Sequence, residues 1–211
     1  MAESGSTSQP GRRLSTGRLE AFSDGVFAIA ITLLVLEISV PEGSGEDLLA
    51  AVLAQWPSYL AYVVSFATIG VAWLEHNAIT DYMEYADVMV VRVNLLLLLL
   101  VSFLPFPTSL VGEHFGERDA ERIAVTIYGL NLLLIAVLLF VLWRYVVSEG
   151  HLHADVGDEE ITIATKHLTP GFAGYVALLV LGLFLPTVAV IGYLVVAFYL
   201  LIPFAVFRRR P

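Results

Sequence analysis

The stretch that decides the fold is residues 18–40, RLEAFSDGVFAIAITLLVLEISV. Its uninterrupted apolar run, Gly25 to Leu36, is shorter than the roughly 20 residues that a membrane-spanning helix needs. To span a bilayer, this helix must therefore include charged residues at its ends, among them Arg18, Asp24 and Glu37. Charges this close to lipid are costly and normally face other helices or water. We expect the first helix to line the middle of an assembly rather than to face lipid.

The apolar side chains of this helix form a stripe. At about 100° per residue, Phe22, Ile29 and Leu36 fall within one narrow arc, with Leu33 on its shoulder. Asp24 points roughly the opposite way, as expected of a side chain bonded to neighbouring helices. Periodicity alone leaves two interpretations of the stripe open, a packed core face or the lining of a pore, and helical apolar stripes are usually core.

Three short motifs carry a resemblance to a known family. The first is R-x-x-x-F-S-D at the start of the first helix. Its residues are Arg18, Phe22, Ser23 and Asp24. The second is W-x-x-H, formed by Trp73 and His76, and the third is the apolar run after Asn94 that ends at residues 104–106, Leu-Pro-Phe. These motifs resemble the transmembrane protein 175 family, cation channels, chiefly potassium-selective, of lysosomes and prokaryotes.

The resemblance implies a pore lined by the first helix, with bulky aliphatic side chains as its narrowest rings. By their offset from the motif, the rings are expected at Ile29, Leu33 and Leu36. The Thr32 hydroxyl beside them can offer partial coordination. Familiar potassium channels select with backbone carbonyls of a TVGYG segment, which this chain lacks. Selectivity here is expected to depend on hydration cost at an aliphatic ring, which can also close by dewetting.

The polar motif residues form a second candidate site. Arg18, Asp24, Trp73 and His76 all lie at the predicted cytoplasmic ends of helices one and two. Polar groups at that depth need partners. We predict that they and the other motif residues form a network that fixes the angle of the pore helix and acts in gating. A plain structural clamp of the fold is the alternative, and the two are not exclusive.

Composition favours a membrane protein over a soluble one. Of the 211 residues, 58% are hydrophobic, and the mean hydropathy is +0.81, whereas apolar residues make up about half of an ordinary soluble domain. The net charge of −9 argues against a nucleic-acid partner. The absence of cysteine excludes disulfides and thiolate metal sites.

Sequence patterns that indicate catalysis or metal binding are scarce. The sequence contains no G-x-S-x-G, H-E-x-x-H or P-loop pattern, so we predict that the chain is not an enzyme and needs no cofactor. The acidic segment 148–167 contains His151 and His153, but their spacing matches no standard zinc pattern. We predict a solvated acidic loop there and no metal site.

Hydropathy predicts an all-α polytopic membrane protein with six transmembrane helices per subunit. Residues 1–16 are predicted to be a disordered cytoplasmic tail, 17–207 the channel domain, and 208–211 a basic tail. The predicted helices are residues 18–40, 47–80, 85–111, 119–147, 170–185 and 187–207. Prolines 105 and 107 are expected to bend or end the third helix. We expect the first span to be retained rather than cleaved, because no small-residue cleavage site follows Val40.

The charges predict the orientation. With both termini inside, nine of the 11 Lys and Arg residues lie on the inner side and only Arg118 and Arg122 on the outer side. The positive-inside rule therefore favours cytoplasmic termini in a multi-pass plasma-membrane protein. Animal members of the family carry two six-helix repeats, whereas this chain has one. A symmetric pore then needs several subunits, and the family precedent is a homotetramer.

We therefore predict a passive potassium-selective channel, with potassium ions and the lipid bilayer as its partners. Glu37 is expected at the outer mouth, where a ring of carboxylates attracts cations. One alternative is a secondary ion transporter, which predicts a broken helix at the midplane and an inverted repeat. The other is a non-conducting membrane scaffold or small-molecule-binding protein, which predicts no ion flux in liposomes.

Overall fold

The computed structural model describes residues 15–39 and 47–201, with the side chains of 167–171 left out. The helices are α1 (Thr16–Leu33), α2 (Leu48–Ala54), α3 (Trp56–Tyr82), α4 (Val88–Phe103), α5 (Pro105–Glu113), α6 (Arg118–Ser148), α7 (Asp158–Gly182) and α8 (Pro186–Leu201). A 3-10 turn, Leu34–Glu37, continues α1. The predicted C-terminal tail, most of the predicted N-terminal tail and the 41–46 loop lie outside the described residues.

The fold is all-helical over these ranges. Four helical segments are long and apolar enough to cross a membrane: Thr16–Glu37, Trp56–Tyr82, Val88–Glu113 and Arg118–Ser148. Two shorter apolar helices, Phe172–Gly182 and Pro186–Leu201, follow them. The described chain therefore has the helical content of a multi-pass membrane protein.

The predicted second helix, residues 47–80, is divided into α2 and α3 at Gln55. The Asp47 side chain caps α2 by accepting a hydrogen bond from the Ala50 N–H at 3.2 Å. Pro57 lies in the first turn of α3, where its missing N–H costs no helical hydrogen bond. Proline therefore marks a new helix start here rather than a kink inside one long helix.

The prediction that prolines 105 and 107 bend or end the third helix is confirmed as a break, since α4 ends at Phe103 and α5 begins at Pro105. The Leu104 carbonyl accepts the Thr108 N–H at 3.1 Å and the Thr108 hydroxyl at 2.8 Å. The Leu104 carbonyl thus keeps its ordinary helical donor and gains the Thr108 hydroxyl as a second one.

The prediction of a polar connection at 148–167 and a helix starting at Pro170 is wrong. Helix α7 begins at Asp158, so the connection is only residues 149–157. Three acidic residues occupy the first turn of α7, where they face the positive end of the helix dipole. The Trp143 indole N–H also donates to the Thr165 hydroxyl at 2.8 Å, which fastens this early part of α7 to α6.

Helix α1 packs on α3 and α4 through one narrow face. The buried side chains of that face are Leu19, Ser23, Phe27, Ala30 and Leu34. They recur every three or four residues, which is the spacing of one helix face. The opposite face of α1 is therefore left uncovered within a single chain.

Candidate pore helix and its polar anchor

The stripe predicted from the sequence lies on the uncovered face of α1. Ile29 is 60% exposed and Leu36 is 71% exposed, and Phe22 and Leu33 are also exposed. The interpretation of these residues as core of the single subunit is therefore wrong. A contiguous apolar surface of this kind is free to meet lipid, another copy of the chain or a pore.

Thr32 and Glu37 flank this stripe. The Thr32 hydroxyl donates to the Ile29 carbonyl of its own helix at 2.9 Å and is exposed. A hydroxyl that donates in this way keeps its oxygen lone pairs for a second contact. Glu37 is half-buried at the end of the 3-10 turn, and the chain leaves the helix immediately after it. A carboxylate thus stands at one end of the apolar stripe.

A buried chain of three polar side chains joins α1, α3 and α4. The Asn94 amide nitrogen donates to the Ser23 hydroxyl oxygen at 3.0 Å. His76 Nε2 lies 2.8 Å from the Asn94 amide oxygen. All three side chains have no exposed surface. Because an amide oxygen only accepts, this orientation of Asn94 requires His76 Nε2 to carry the proton.

The other groups of these hydrogen-bonded side chains contact residues of α1. The Ser23 hydroxyl donates onward to the Leu19 carbonyl at 2.9 Å. The His76 ring lies 5.6 Å from the Phe27 ring, centroid to centroid. Its Nδ1 is buried without a hydrogen-bond partner in the described part of the chain. His76 is thus held by one hydrogen bond and by ring packing against Phe27 of α1.

A second bond ties α1 to α3 closer to the surface. The Trp73 indole N–H donates to the Asp24 carboxylate at 2.8 Å. Trp73 is exposed and Asp24 is half-buried. Because the acceptor is charged, this hydrogen bond is of the stronger kind. We call this pair, together with Ser23, Asn94 and His76, the anchor.

The structure does not bring every predicted member into the anchor. Arg18 and Phe22 are exposed, and the described residues give Arg18 no hydrogen bond or ion pair. Their part in the network remains a prediction. Conversely, Asn94 enters the sequence prediction only as the residue before an apolar run. An amide within an otherwise aliphatic helix was the available signal, because polar residues there need partners.

Within the shortened connection between α6 and α7, one residue departs from the predicted solvated loop. His153 and Asp155 are exposed, as predicted for a solvated loop, but His151 is buried. Over residues 15–39 and 47–201, no group of three His, Asp or Glu side chains is placed to hold a metal ion.

Comparison with known proteins places this arrangement in a family. Residues 18–105, which include the whole anchor, match the family described as the endosomal/lysosomal potassium channel TMEM175. The chain is 42% identical over 162 residues to a potassium channel of Streptomyces collinus, covering 76% of this chain and 79% of the relative. It is 44% identical over 155 residues to a potassium channel of Chamaesiphon minutus, covering 72% and 76%.

A solved structure agrees with the fold. The crystal structure of a lysosomal potassium-selective channel TMEM175 homolog from Chamaesiphon minutus superposes with a TM-score of 0.81 at 38% sequence identity. The match covers 90% of this chain and 97% of that chain. The similarity in fold therefore extends over most of the length of both chains. On these similarities in sequence and fold, the chain belongs to the TMEM175 family.

Proposed function

We propose that the chain is one subunit of a passive potassium-selective channel. The observation that carries this proposal is the exposed aliphatic stripe of α1, on the helix face opposite the buried anchor. Family membership supports it, because the Streptomyces and Chamaesiphon relatives are named potassium channels. These relatives are channels rather than enzymes, and no catalytic family is indicated.

The proposed pore requires several copies of the chain. One exposed helix offers a single wall, so α1 helices from symmetry-related copies must surround a common axis to enclose an ion path. We propose four copies, which is what the resemblance to the family implies. The aliphatic side chains of Ile29, Leu33 and Leu36 then form rings around that axis.

Aliphatic rings of this kind can select between ions although their side chains offer no ligand atoms. An ion that passes an aliphatic ring keeps or sheds water according to the cost of dehydration, and potassium holds its water less tightly than sodium. The Thr32 hydroxyl, beside Ile29, supplies partial coordination at this level. A narrow apolar ring also empties of water when it closes slightly, so the same residues serve as a gate.

The anchor has the role of fixing the angle of α1. Ser23 and Asp24 face α4 and α3, respectively, while Ile29 and Leu36 face away from the subunit. A rotation of α1 that displaced the stripe would break the fully buried hydrogen bond between Asn94 and Ser23, and unpaired polar groups away from water are expensive. The position of the rings is thereby coupled to the anchor.

We propose six spans, with α7 and α8 as the fifth and sixth, and both termini in the cytoplasm of a plasma-membrane protein. The anchor then lies toward the cytoplasm and Glu37 at the outer mouth. Arg118 and Arg122 lie at the start of α6, on the outer side. Copies of Glu37 around the axis attract cations to the entrance.

The transporter alternative has one supporting feature, the break between α4 and α5 within a single span. In transporters, such breaks leave carbonyls free to bind ions. Here Pro105 deprives the Val101 carbonyl of its helical donor, and this carbonyl accepts the Leu104 N–H at 3.2 Å instead. That carbonyl is therefore occupied, and the break fits a structural bend better than an ion site.

Reconstitution of the purified full-length chain in liposomes tests the proposal. Reversal potentials under opposed potassium and sodium gradients should lie near the potassium equilibrium potential, with flux that rises without saturation. Protein-free liposomes are the control. Saturable flux that follows a proton gradient would indicate a transporter, and absence of flux a scaffold.

A further inference from the structure

The segment that joins α6 to α7, residues 149–157, is fastened to the turn between α3 and α4 by the main chain. The Glu84 N–H donates to the His151 carbonyl at 2.9 Å. The His153 N–H donates to the Tyr82 carbonyl at 3.1 Å. We call this segment the latch. These bonds hold it in a defined position against the start of α4.

A histidine lies buried inside this junction. His151 is only 4% exposed, although it belongs to a connecting segment. Its ring centroid lies 4.7 Å from that of Tyr85 and 5.5 Å from that of Tyr145. Its Nε2 lies 3.6 Å from the Asp87 carboxylate, and its Nδ1 has no hydrogen-bond partner in the described residues. The imidazole thus lies against two tyrosine rings and near one carboxylate, and we call these three side chains the cage.

The hydrogen bonds of Asp87 stabilise its charged form. One carboxylate oxygen accepts the Val90 N–H at 2.8 Å and caps α4, and the other accepts the Tyr145 hydroxyl at 2.6 Å. Burial tends to raise the pKa of Asp87, but the hydrogen bonds from Tyr145 and Val90 and the charge of His151 outweigh it and lower this pKa. The carboxylate therefore stays ionised over the range in which histidines ordinarily titrate.

We propose that His151 is a proton-binding site and that its protonation tightens the latch against the α3–α4 turn. A neutral imidazole 3.6 Å from a carboxylate gains little from it. An imidazolium in the same position attracts Asp87 and lies beside the electron-rich rings of Tyr85 and Tyr145. The protonated form is thus the one for which this cage offers new interactions.

The ionisable groups near His151 are two carboxylates and two tyrosines, and they also favour a positive charge at this position. Asp87 and Tyr85 approach from the α3–α4 turn and Tyr145 from α6. Glu149, the C-cap of α6, is near enough to act electrostatically on Tyr145 and adds a second negative charge. If the docked latch binds the proton more tightly than the open latch, its docking becomes more stable as the pH falls through the histidine range and less stable as the pH rises.

The His151 site adjoins α4, the helix that carries the anchor residue Asn94. Asp87 caps α4, and seven residues later the same helix carries Asn94, which bonds α1. In the orientation proposed above, the latch faces the cytoplasm. The ligand that it senses is then the cytoplasmic proton.

Hydrogen exchange of the full-length protein in detergent micelles tests this proposal at about pH 6 and about pH 8. After correction for intrinsic exchange rates, we expect the amides of Glu84 and His153 to be about fivefold better protected at the lower pH. His151→Gln should abolish this difference. His153→Gln is the matched control and should preserve it, because His153 is exposed on the same segment.

A second variant keeps the test decisive if His151→Gln does not fold. Asp87→Asn retains a side chain that caps helices equally well but removes the charge, so it should also reduce the pH difference. Equal protection at both pH values in the unmodified protein, or greater protection at the higher pH, would overturn the proposal. So would a pH difference that survives in both variants. This readout needs no ion flux, so its failure is distinct from failure of the channel proposal.

Discussion

The Asn94 side chain donates a hydrogen bond to the Ser23 hydroxyl at 3.0 Å across the interface between α4 and α1. The same amide accepts from His76 of α3, so a single side chain joins three helices. All three groups are fully buried. A buried polar group that loses its partner costs more free energy than the bond itself contributes. Asn94 is therefore the residue on which the anchor depends most.

Replacing Asn94 with alanine should lower the free energy of unfolding by about 1–3 kcal/mol. The substitution leaves His76 Nε2 buried without its acceptor. Ser102→Ala is the matched control, because Ser102 is exposed on the same helix and, among the residues that the structure describes, its hydroxyl bonds the Leu99 carbonyl of that helix alone. Unfolding in detergent, followed by circular dichroism, measures both variants. Equal losses would show that Asn94 does not anchor α1.

Replacing Trp73 with phenylalanine should cost less, about 0.5–1.5 kcal/mol. The change removes the indole N–H that binds Asp24 while keeping an aromatic ring. Both partners remain accessible to water, which can replace the lost bond. Trp56→Phe is the control, because Trp56 packs edge-on against Phe115 and no indole hydrogen bond is observed for it in the described residues. A loss no greater in Trp73→Phe than in this control would argue against the bond.

Replacing Gly129 with alanine should destabilise the chain by about 1–3 kcal/mol through overpacking. An added Cβ would collide with the Tyr193 hydroxyl, which is buried and has no hydrogen-bond partner in the described residues. Gly70→Ala is the control, since nothing lies within 4 Å of a Cβ there, and alanine improves helix propensity.

Adding Tyr193→Phe to Gly129→Ala should recover much of that loss. Removal of the hydroxyl opens the space that the new methyl group needs and leaves no polar partner unpaired. Chemical unfolding of the single and double variants measures the recovery. A double variant less stable than Gly129→Ala alone would mean that the hydroxyl makes a contact that the packing does not account for.

Substituting serine at Leu36 should raise ion leak and reduce the preference for potassium over sodium. A hydroxyl in the proposed ring offers water and sodium a partner that an aliphatic side chain does not. The same result is expected at Ile29 and Leu33. Leu99→Ser is the control, because Leu99 is equally apolar and exposed but lies on α4. Ion flux and reversal potentials measured in liposomes test this prediction. Unchanged flux and selectivity at all three positions would contradict the pore assignment.

Several features were predictable because they depend on local pattern. The sequence predicts a helix at 119–147, and α6 is observed at Arg118–Ser148, since a long apolar segment between charged ends has few alternatives. The bend at Pro105 follows from the missing N–H of proline. The opposed directions of Asp24 and Ile29 follow from the helical period alone.

Other features depend on packing between distant segments. The burial of His151 arises because the latch pairs with the α3–α4 turn, 67 positions before it at Glu84, and nothing in the local acidic sequence indicates this. The early start of α7 at Asp158 is supported by the contact of Thr165 with Trp143. The central place of Asn94 likewise depends on two partners from other helices.

The central claim is that α1 lines the ion path, and the absence of cysteine from the chain permits a direct test. Leu36→Cys and Leu99→Cys each introduce a single exposed position for a charged, thiol-specific reagent. Potassium flux through reconstituted protein is measured before and after labelling, with the extent of labelling determined in parallel. The account predicts that labelling at position 36 blocks the flux and that labelling at position 99 does not. Full labelling at position 36 with unchanged flux would contradict it.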